Sequence, residues 1–524
     1  KETKLQTEEL AVVQANNGLK LYLRGLLLGH AATQRSALYH NEHAENLEPD
    51  EILERWKTKL AVLEDGTDYE RNVFQFDSAQ LQKWGPQGEV APIAELLSDV
   101  VYPSFQPGMK TPAFSSDVWA MAKADVTKKL QRAGCRSLRP VSYRNVVDDM
   151  RARDTLESNS GWPLFTRRHK PEVIRQSIEE AEDGRWKTYP AIALFRNYNR
   201  KTRLVWMFPM SANLVEGSFF QPLQSILMKS SLARQFLAPW NGFETVRDLV
   251  THTYAAGNSV AASDFSATDA HFKLGTSMEV YDVLAPCFQP AYRATLKESI
   301  RYMHEIPLVI GPDSKLVGEH GVSSGSNWTN FIETIFDMIL AQYVTFREGL
   351  NSYSGLYAIG DDMSWFVNSD RYDAAFSQRL EAYGKSVGQE VKADKTTNYP
   401  DKVKSLQRLF QRGYFQPKSF QLRAVYPTIR ALKSLVYPER MHKDKLWSKD
   451  MNAIRCIMIL ENCIDHPLYE DFVKFVAEGD PWLVTFAKYR AQKQRKLFAK
   501  SKLLRGLVTT YNQEKRNEDI TKFM

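Results

Sequence analysis

Cysteine is scarce in this 524-residue chain, and long apolar runs and low-complexity segments are missing from it. The four cysteines form no C-x-x-C pair, which argues against a disulfide framework or a zinc site and suits a reducing cytosolic setting. No apolar run reaches roughly 18 residues, so we expect no transmembrane helix. The N-terminus lacks the apolar core of a signal peptide and begins with Lys1 rather than Met, so we expect a trimmed or partial chain.

The net charge of +7 is modest, but positive charge is concentrated near the C-terminus. We call residues 488–505 the basic segment. Its eight cations, with no acid between them, are Lys488, Arg490, Lys493, Arg495, Lys496, Lys500, Lys502 and Arg505. Such a segment is typical of a surface that attracts polyanions, nucleic acid first. From charge alone, a solvated helix face is an equally good interpretation.

The order of sequence patterns predicts an α+β fold. Residues 1–105 have helical spacing, and prolines with a glycine mark a boundary after them. β-like runs at 191–195 and 204–208 follow among helical patterns, and the chain is again helical beyond Pro417. At this length we expect about two or three subdomains, with a mixed centre between helix-rich flanks.

Two short acidic signatures, Asp264-Phe-Ser-Ala-Thr-Asp269 and Gly360-Asp361-Asp362, each fall where a predicted strand ends. The second is typical of a hairpin turn, because Gly supplies the positive φ that such a turn needs. Carboxylates crowded in this way repel one another unless a cation lies between them, and hard oxygen ligands favour Mg²⁺ or Mn²⁺. Asp264 and Asp361 are therefore candidates for bridging two metal ions, with Asp362 a weaker ligand. For Gly-Asp-Asp alone, a surface turn is the alternative.

Two further segments are candidates for binding a nucleotide. The Ser- and Gly-rich loop of residues 321–330 precedes a helical pattern and offers backbone N–H groups and hydroxyls to an anion or a sugar. A simple helix cap is the alternative there. The basic run Arg200, Lys201 and Arg203 immediately precedes a β-like run and suits a triphosphate clamp. A solvated loop is its alternative interpretation.

In order and wording, these elements resemble a viral RNA-dependent RNA polymerase. More narrowly, they resemble the enzymes of small double-stranded RNA viruses, picobirnaviruses first and partitiviruses second. Three further segments fit the motif order of the family. Asn159–Pro163 resembles a motif beside the template entrance, Ala393–Thr396 the palm motif with a general-acid lysine, and Ser405–Arg408 the primer-grip hairpin. Together the elements span residues 159–408.

The resemblance implies a role for each matching residue. Those implied for catalysis are Asp264, Asp361, Asp362 and Lys395. Those implied as ligands of two Mg²⁺ ions, which Mn²⁺ can replace, are Asp264, Asp361, Asp362 and the Phe265 carbonyl. Those implied for NTP binding are Lys201, Arg203, Asp269, Ser324, Gly325, Thr329 and Asn330. Those implied for template or primer contacts are Ser160, Gly161, Pro163 and Arg408. The chemistry agrees at two positions: Asp269 can accept from a ribose 2′-OH, and Lys395 can protonate departing pyrophosphate.

One position departs from the pattern of many RNA virus polymerases. Glu333 stands nine residues after Ser324, where Asn commonly helps to read the ribose. Other double-stranded RNA virus polymerases have an acid there, so the resemblance holds. Two carboxylates cannot bond each other unless one is protonated or a cation intervenes, so the hydrogen-bonding partner of Asp269 stays open.

The resemblance implies a right-hand polymerase with an antiparallel palm sheet, closed by an N-terminal bridging segment. We expect the bridging segment at 1–105, fingers at 106–211 and 272–318, palm at 212–271 and 319–405, and thumb with a basic tail at 406–524. The tail would follow the RNA exit path or fold back toward the cavity. Implied partners are the RNA template and product, NTPs and a capsid protein, with no membrane. The implied setting is a monomer in the host cytoplasm, inside the virion.

The expected reaction transfers nucleotides from NTPs to an RNA 3′-OH on a template, releasing pyrophosphate, for viral genome replication and transcription. A reverse transcriptase is one alternative, but such enzymes tend to have a bulky residue where this chain has Asp269, and they lack the Ser324-Gly325 loop. The other alternative is a non-catalytic RNA-binding or capsid-associated protein, in which the acidic turns would be surface loops.

Overall fold

The computed structural model describes residues 1–266, 268–349, 352–368, 373–391, 399–440, 447–503 and 520–524. The helices α1 to α20 are, in chain order, Thr7–Ala15, Asn17–Leu28, Pro49–Leu60, Asp68–Ser78, Ile93–Leu96, Asp117–Arg132, Tyr143–Ala152, Pro171–Asp183, Met210–Met228, Phe243–Ala255, Thr268–His271, Leu274–Leu284, Arg293–Glu305, Trp328–Arg347, Ala375–Ser386, Thr428–Val436, Lys449–Glu461, Tyr469–Gly479, Trp482–Ala487 and Ala491–Ser501. The strands β1 to β11 are Glu2–Lys4, Ala191–Tyr198, Lys201–Met207, Ser259–Ser266, Leu308–Val309, Ser314–Leu316, Tyr353–Ile359, Asp362–Val367, Glu390–Val391, Lys402–Ser405 and Arg408–Gln411. The predicted α+β class is confirmed.

A five-stranded sheet is built on the β2–β3 hairpin, in the strand order β1-β6-β5-β2-β3. The two β-like runs predicted from the sequence form this hairpin, and its turn residues Asn199 and Arg200 have φ values of 52° and 61°, as a type I′ turn requires. Residues 1–105 are mostly helical, as predicted, and β1 is an exception. That strand obtains its backbone partners from Ser314–Leu316, a pairing between distant parts of the chain.

The second sheet has four antiparallel strands in the order β7-β8-β4-β9. The predicted acidic hairpin is confirmed: Ile359 pairs with Asp362 across a two-residue turn, and Gly360 has a φ of +55°. The sequence pattern predicts that strand β4 ends at Asp264, but the strand is longer. It continues through Ser266, because its last two residues pair with β9. The predicted helix after the Ser-Gly loop is α14, which packs against β7.

The N-terminal part of the chain contributes to two separate hydrophobic cores. Apolar residues between positions 5 and 26 pack in the largest core, together with both sheets and α14. Apolar residues between positions 38 and 76 pack in a second core with the helices after β11. The buried Trp56 indole also donates to the Thr428 hydroxyl at 2.8 Å. Residues 1–76 therefore connect the two cores.

All four cysteines are buried and free, in agreement with the prediction of no disulfide framework. Within the described ranges, no helix is both long and apolar enough to cross a membrane.

Candidate active site

Strand β4 and the acidic turn bring three aspartates to one end of the four-stranded sheet. In the antiparallel register, Asp264 lies opposite Asp362, and Asp361 occupies the adjoining turn. Burial, and then repulsion by Asp264, raises the pKa of Asp361. Burial and repulsion by both neighbours raise the pKa of Asp362 to about 7. The three carboxyl groups therefore repel one another, which is the electrostatic condition of a cation site.

The oxygen donors of this cluster suit a hard divalent cation such as Mg²⁺ or Mn²⁺. The Phe265 carbonyl belongs to the same strand, one residue beyond Asp264. Asp361 is exposed as a residue, although protein surrounds most of its carboxyl group. Among the described residues, no three acidic, histidine or cysteine side chains already surround a common metal position. The fit to a metal therefore rests on the donor chemistry and on the repulsion that a cation would relieve.

Asp269 and Glu333 form a hydrogen-bonded carboxyl pair beside these aspartates. Asp269 is exposed as a residue, but its carboxyl group is surrounded by protein; this burial, with repulsion from Asp361, raises its pKa to about 6. Burial and repulsion by Asp269 raise the pKa of Glu333 well above its usual value. The Arg203 guanidinium stabilises the Asp269 carboxylate. Burial and repulsion favour the protonated form of Glu333, and a protonated Glu333 carboxyl can donate a hydrogen bond to Asp269.

The Ser-Gly loop is wedged between β3 and the segment that carries Asp269. The Trp206 backbone N–H donates to the Ser324 hydroxyl oxygen at 3.3 Å. A Cβ on Gly325 would lie 1.7 Å from the Trp206 carbonyl oxygen, and one on Gly321 would lie 2.2 Å from the Asp269 carbonyl oxygen. Only glycine fits such close backbone contacts. The loop is thereby fixed to the basic strand on one side and to Asp269 on the other.

Two other predicted NTP ligands lie at the start of α14 in different surroundings. Thr329 is buried, and its hydroxyl donates to the Ser323 carbonyl at 2.6 Å, so it holds the loop in shape. Asn330 is exposed, and its amide nitrogen is 3.4 Å from where a Cβ on Gly360 would stand. Asn330 therefore lies beside the acidic turn.

The predicted basic clamp divides into two parts. Lys201 and Arg203 are exposed on β3, and Arg203 favours the ionised forms of both Asp269 and Asp361. Arg200 lies instead in the hairpin turn, where its backbone N–H donates to a carbonyl at 2.8 Å. Arg203 is thus close to the carboxylates, whereas Arg200 belongs to the tip of the hairpin.

Helix α14 supports the acidic turn through residues that sequence reasoning missed. The Thr334 hydroxyl oxygen accepts from the Gly360 backbone N–H at 3.1 Å and its O–H donates to the Asn330 carbonyl at 2.8 Å. One turn farther, Asp337 is 2% exposed, and its Oδ2 has no hydrogen-bond partner in the described part of the chain. Burial and repulsion from the two aspartates of the turn raise the pKa of Asp337 well above its usual value. The spacing of these positions on one helical face was the available signal.

A buried network centred on Glu216 of α9 holds the other side of the Ser-Gly loop. Glu216 accepts from the Ser326 hydroxyl and from the Asn327 backbone N–H, the latter at 2.9 Å. Asn213 donates to Glu216 at 2.9 Å and accepts from Arg168 at 2.9 Å. Burial is the main cause that raises the pKa of Glu216 to about 7. No motif marks these residues, because only tertiary packing brings them together.

The segment predicted to lie beside the template entrance is largely inside the protein. Ser160 and Gly161 are buried and Pro163 is half-buried. The Ser160 carbonyl accepts from the Met210 backbone N–H at 2.8 Å, and a Cβ on Gly161 would lie 2.4 Å from the Phe208 carbonyl oxygen. These residues therefore shape the loop that precedes α9.

Arg408 packs the β10–β11 hairpin onto α10. Its side chain is fully buried, its guanidinium donates to the Leu406 carbonyl at 3.0 Å, and it lies 4.0 Å from the centre of the Phe243 ring. Its contact with template or primer stays a prediction.

Two predicted elements fall outside the described residues. They are Ala393–Thr396, which includes the candidate general acid Lys395, and residues 504–519 of the C-terminal tail.

Comparisons with known proteins agree with this geometry. Residues 198–457 match the family model of the viral RNA-dependent RNA polymerases. The chain is a viral RNA-dependent RNA polymerase. The polymerase is 25% identical over 488 residues to the potential RNA-dependent RNA polymerase of a human picobirnavirus (strain Human/Thailand/Hy005102/-), covering 89% of this chain and 85% of that protein. It is 23% identical over 149 residues, 28% of each chain, to the RNA-directed RNA polymerase of Cryptosporidium parvum virus 1 (strain KSU-1).

Solved structures agree on the fold of the polymerase. The crystal structure of a human picobirnavirus RNA-dependent RNA polymerase matches with a TM-score of 0.75 at 21% identity, covering 95% of this chain and 96% of that one. Its insertion-loop deletion mutant matches with a TM-score of 0.76 at 22% identity, covering 96% and 99%. The predicted right-hand polymerase fold is thus confirmed.

The identification confirms the expected activity, template-directed RNA synthesis. The matches do not favour the reverse transcriptase alternative, and the non-catalytic alternative is wrong because the chain is an enzyme. A polymerase of this kind binds RNA and NTPs and generally uses divalent metal ions.

Proposed function

We propose that Asp264 and Asp361 hold the two divalent cations of nucleotidyl transfer, with Asp362 and the Phe265 carbonyl as weaker ligands. The observation that carries this proposal is the register that sets Asp264 against Asp362 beside the turn, where burial and repulsion raise pKa values. Bound ions would activate the attacking 3′-hydroxyl and stabilise the leaving pyrophosphate. Mg²⁺ is the proposed ion and Mn²⁺ its substitute.

Lys201 and Arg203 bind the triphosphate of the incoming NTP. Their exposure on β3 supports this role, as does the influence of Arg203 on both Asp269 and Asp361. A guanidinium in this position neutralises the negative charge that the triphosphate brings to the carboxylates. Lys395 supplies the proton that the departing pyrophosphate takes up.

Asp269 selects ribonucleotides by accepting a hydrogen bond from the ribose 2′-OH. The protonated Glu333 carboxyl donates a hydrogen bond to Asp269 and so fixes the orientation of the Asp269 carboxylate. Ser324, Gly325 and Thr329 keep the loop in place through their contacts with β3 and with the loop itself. Asn330, exposed beside the acidic turn, is a direct ligand of the nucleotide.

The division into subdomains follows the sequence boundaries: fingers at 106–211 and 272–318, palm at 212–271 and 319–405, and thumb from 406. The shared hydrophobic cores support an N-terminal segment that bridges fingers and thumb. The loop of Ser160, Gly161 and Pro163 forms one wall of the template entrance. The polymerase acts as a monomer on RNA and NTPs in the host cytoplasm, inside a virion whose capsid protein it contacts.

A templated extension assay with and without added metal tests this function. We expect extension in Mg²⁺ or Mn²⁺, none with EDTA, and a loss of at least about 100-fold in Asp264→Asn, equivalent to more than about 2.7 kcal/mol of transition-state stabilisation. Asp471→Asn changes an exposed acid on α18 and should behave as wild type. Full extension in EDTA, or an Asp264→Asn variant as active as Asp471→Asn, would contradict the proposal. Comparing reactions with and without primer shows whether initiation needs one.

A further inference from the structure

A cavity of about 390 Å³ lies between α7, α9 and the Ser-Gly loop. Three groups of residues form its walls: positions 146–158 with Arg168 on one side, positions 213–224 on the second, and Trp240 with positions 325–331 on the third. Its volume falls within the range of small-molecule sites, and it is large enough for a nucleobase with its sugar. Of the residues that line the cavity, only Gly325 and Asn330 have a nucleotide-binding role proposed above.

One wall of the cavity is aromatic. The half-buried Trp240 stacks on Phe331 with ring centres 5.6 Å apart and an interplanar angle of 23°. Phe220 lies 6.2 Å from Phe331 on the same side. Aromatic faces of this kind stack unpaired bases without regard to sequence.

The cavity also offers hydrogen-bonding groups that suit the edge of a base. Gln221 lines the cavity, and its buried amide oxygen has no donor among the residues the structure describes. A buried acceptor without a donor costs stability unless a ligand or water supplies one. The amides of Gln224 and Asn330 also line the space, and amides pair with the mixed donors and acceptors of bases.

Two arginines and one acid, Asp149, are among the charged residues that line the cavity. Arg168 and Arg153 both line the cavity, and Arg153 donates to Asp149 at 2.9 Å and to Gln224 at 3.2 Å. A base that enters here brings a phosphate group, which guanidinium groups attract and bind. The chemistry of the walls therefore fits a nucleobase that carries phosphate.

The basic segment indicates that this phosphate belongs to a strand. Helix α20 is anchored by Phe498, whose ring lies 6.0 Å from that of Phe486, and the other face of the helix carries exposed cations. Just beyond α20, Lys502 lies 3.7 Å from Asp154, the neighbour of Arg153. The cations thus continue from the helix to the rim of the cavity. A mononucleotide is too short to contact such an extended basic surface, whereas the successive phosphates of an RNA strand can do so.

We propose that this cavity holds an unpaired nucleobase of an RNA strand whose backbone follows α20. The strand is taken to be the RNA template, and in this respect the inference rests on the proposed function. It adds a site for RNA that adjoins the nucleotide site at Asn330, and it assigns the basic segment to the incoming strand in place of the exit path.

Photocrosslinking of full-length protein tests the proposal. The probes are a short oligoribonucleotide with a single 4-thiouridine and, separately, 4-thio-UTP. We expect the oligoribonucleotide to crosslink to peptides containing Gln221 or Trp240, and unlabelled single-stranded RNA to compete. Gln221→Met and Trp240→Ala should lose the crosslink and weaken RNA binding about fivefold or more, whereas Trp240→Phe should retain both. Phe420→Ala, at a site 90% exposed, is the control for loss of an aromatic ring.

Three results separate the outcomes. No crosslink in this cavity, or variants that bind RNA as tightly as Phe420→Ala, would overturn the inference. Crosslinking by 4-thio-UTP that RNA does not displace would also overturn it, because the cavity would then be a mononucleotide site. Asp361→Asn should keep the crosslink and lose extension. If Asp361→Asn instead extends normally, the proposed function fails whatever the crosslink shows.

Discussion

At the scale of residues, five carboxyl groups meet at the end of the four-stranded sheet that carries the acidic turn: Asp264, Asp269, Glu333, Asp361 and Asp362. Burial and mutual repulsion raise the pKa values of the last four. The sequence motifs predict that these acids cluster, but not which of them carries a proton. That depends on how α14 packs under the acidic turn, which is a non-local contact.

Asp337 provides a pH-dependent prediction about stability. Its pKa is raised in the folded state, so the free energy it contributes falls as pH rises above the ordinary pKa of Asp. We expect Asp337→Asn, which cannot ionise, to gain stability over wild type by up to about 1.4 kcal/mol per pH unit as the pH rises from the ordinary pKa of Asp toward the raised pKa of Asp337. Denaturant unfolding of both proteins across this range measures the difference. A constant difference at every pH would show that Asp337 does not bind a proton on folding.

Glu333 provides a prediction about sugar selection. As pH rises through its raised pKa, Glu333 loses its proton and can no longer donate a hydrogen bond to Asp269. Discrimination by the wild type between an rNTP and the matching dNTP should therefore decline. Glu333→Gln keeps an N–H donor, so its discrimination should stay high and vary less with pH. Glu333→Ala, without a donor, should discriminate up to about tenfold less well. Ratios of kcat/KM at several pH values test this, and an identical pH profile in wild type and Glu333→Gln would refute it.

At the scale of elements, local sequence patterns were sufficient to predict those elements whose main contacts are between residues close in sequence. The β2–β3 hairpin, the acidic hairpin and the helix after the Ser-Gly loop all follow from turn residues and periodicity. Strand β1, the burial of Arg408 and the Glu216 network do not, because their partners lie far away in the chain. The glycine at 325 was recognised as part of a loop, but its contact with β3 needed the structure.

Gly325 tests how rigidly the Ser-Gly loop is held. Because a Cβ there would lie 1.7 Å from the Trp206 carbonyl oxygen, Gly325→Ala must displace the loop or β3, at a cost of about 1–3 kcal/mol in folding free energy. We expect extension to fall at least about tenfold, since the displaced strand carries Lys201 and Arg203. Gly275→Ala is the matched control, because nothing lies within 4 Å of the added Cβ. Equal activity and melting temperature in the two variants would contradict a tightly held loop.

At the scale of the whole molecule, contacts between distant segments join α16 and the residues after it to the β2–β3 hairpin. Lys433 of α16 is 5% exposed, and its ammonium donates to the Lys83 carbonyl and to Asn199 at the tip of the β2–β3 hairpin. Nearby, Arg196 pairs with Glu439 at 2.8 Å. The sequence resemblance predicts a bridge between fingers and thumb, but no sequence pattern identifies the residues that form it.

Replacing Lys433 tests whether its hydrogen bonds hold α16 and the hairpin tip together. Lys433→Met leaves two carbonyl-type acceptors without their donor, which we expect to destabilise the protein by about 1–3 kcal/mol. Lys474→Met, on the exposed face of α18, should have little effect. Limited proteolysis with mass spectrometry should show faster cleavage near the hairpin tip in Lys433→Met alone. Identical proteolysis of the two variants would mean that this lysine does not hold α16 and the hairpin tip together.

Primer extension on an RNA template by wild type and Asp361→Asn, with RNA affinity measured in parallel, tests the central claim most directly. The acidic turn is proposed to act in chemistry rather than in binding the template. We therefore predict that Asp361→Asn binds RNA within about twofold of wild type but extends it at least about 100-fold more slowly. Extension at the wild-type rate by a folded Asp361→Asn protein would contradict the account.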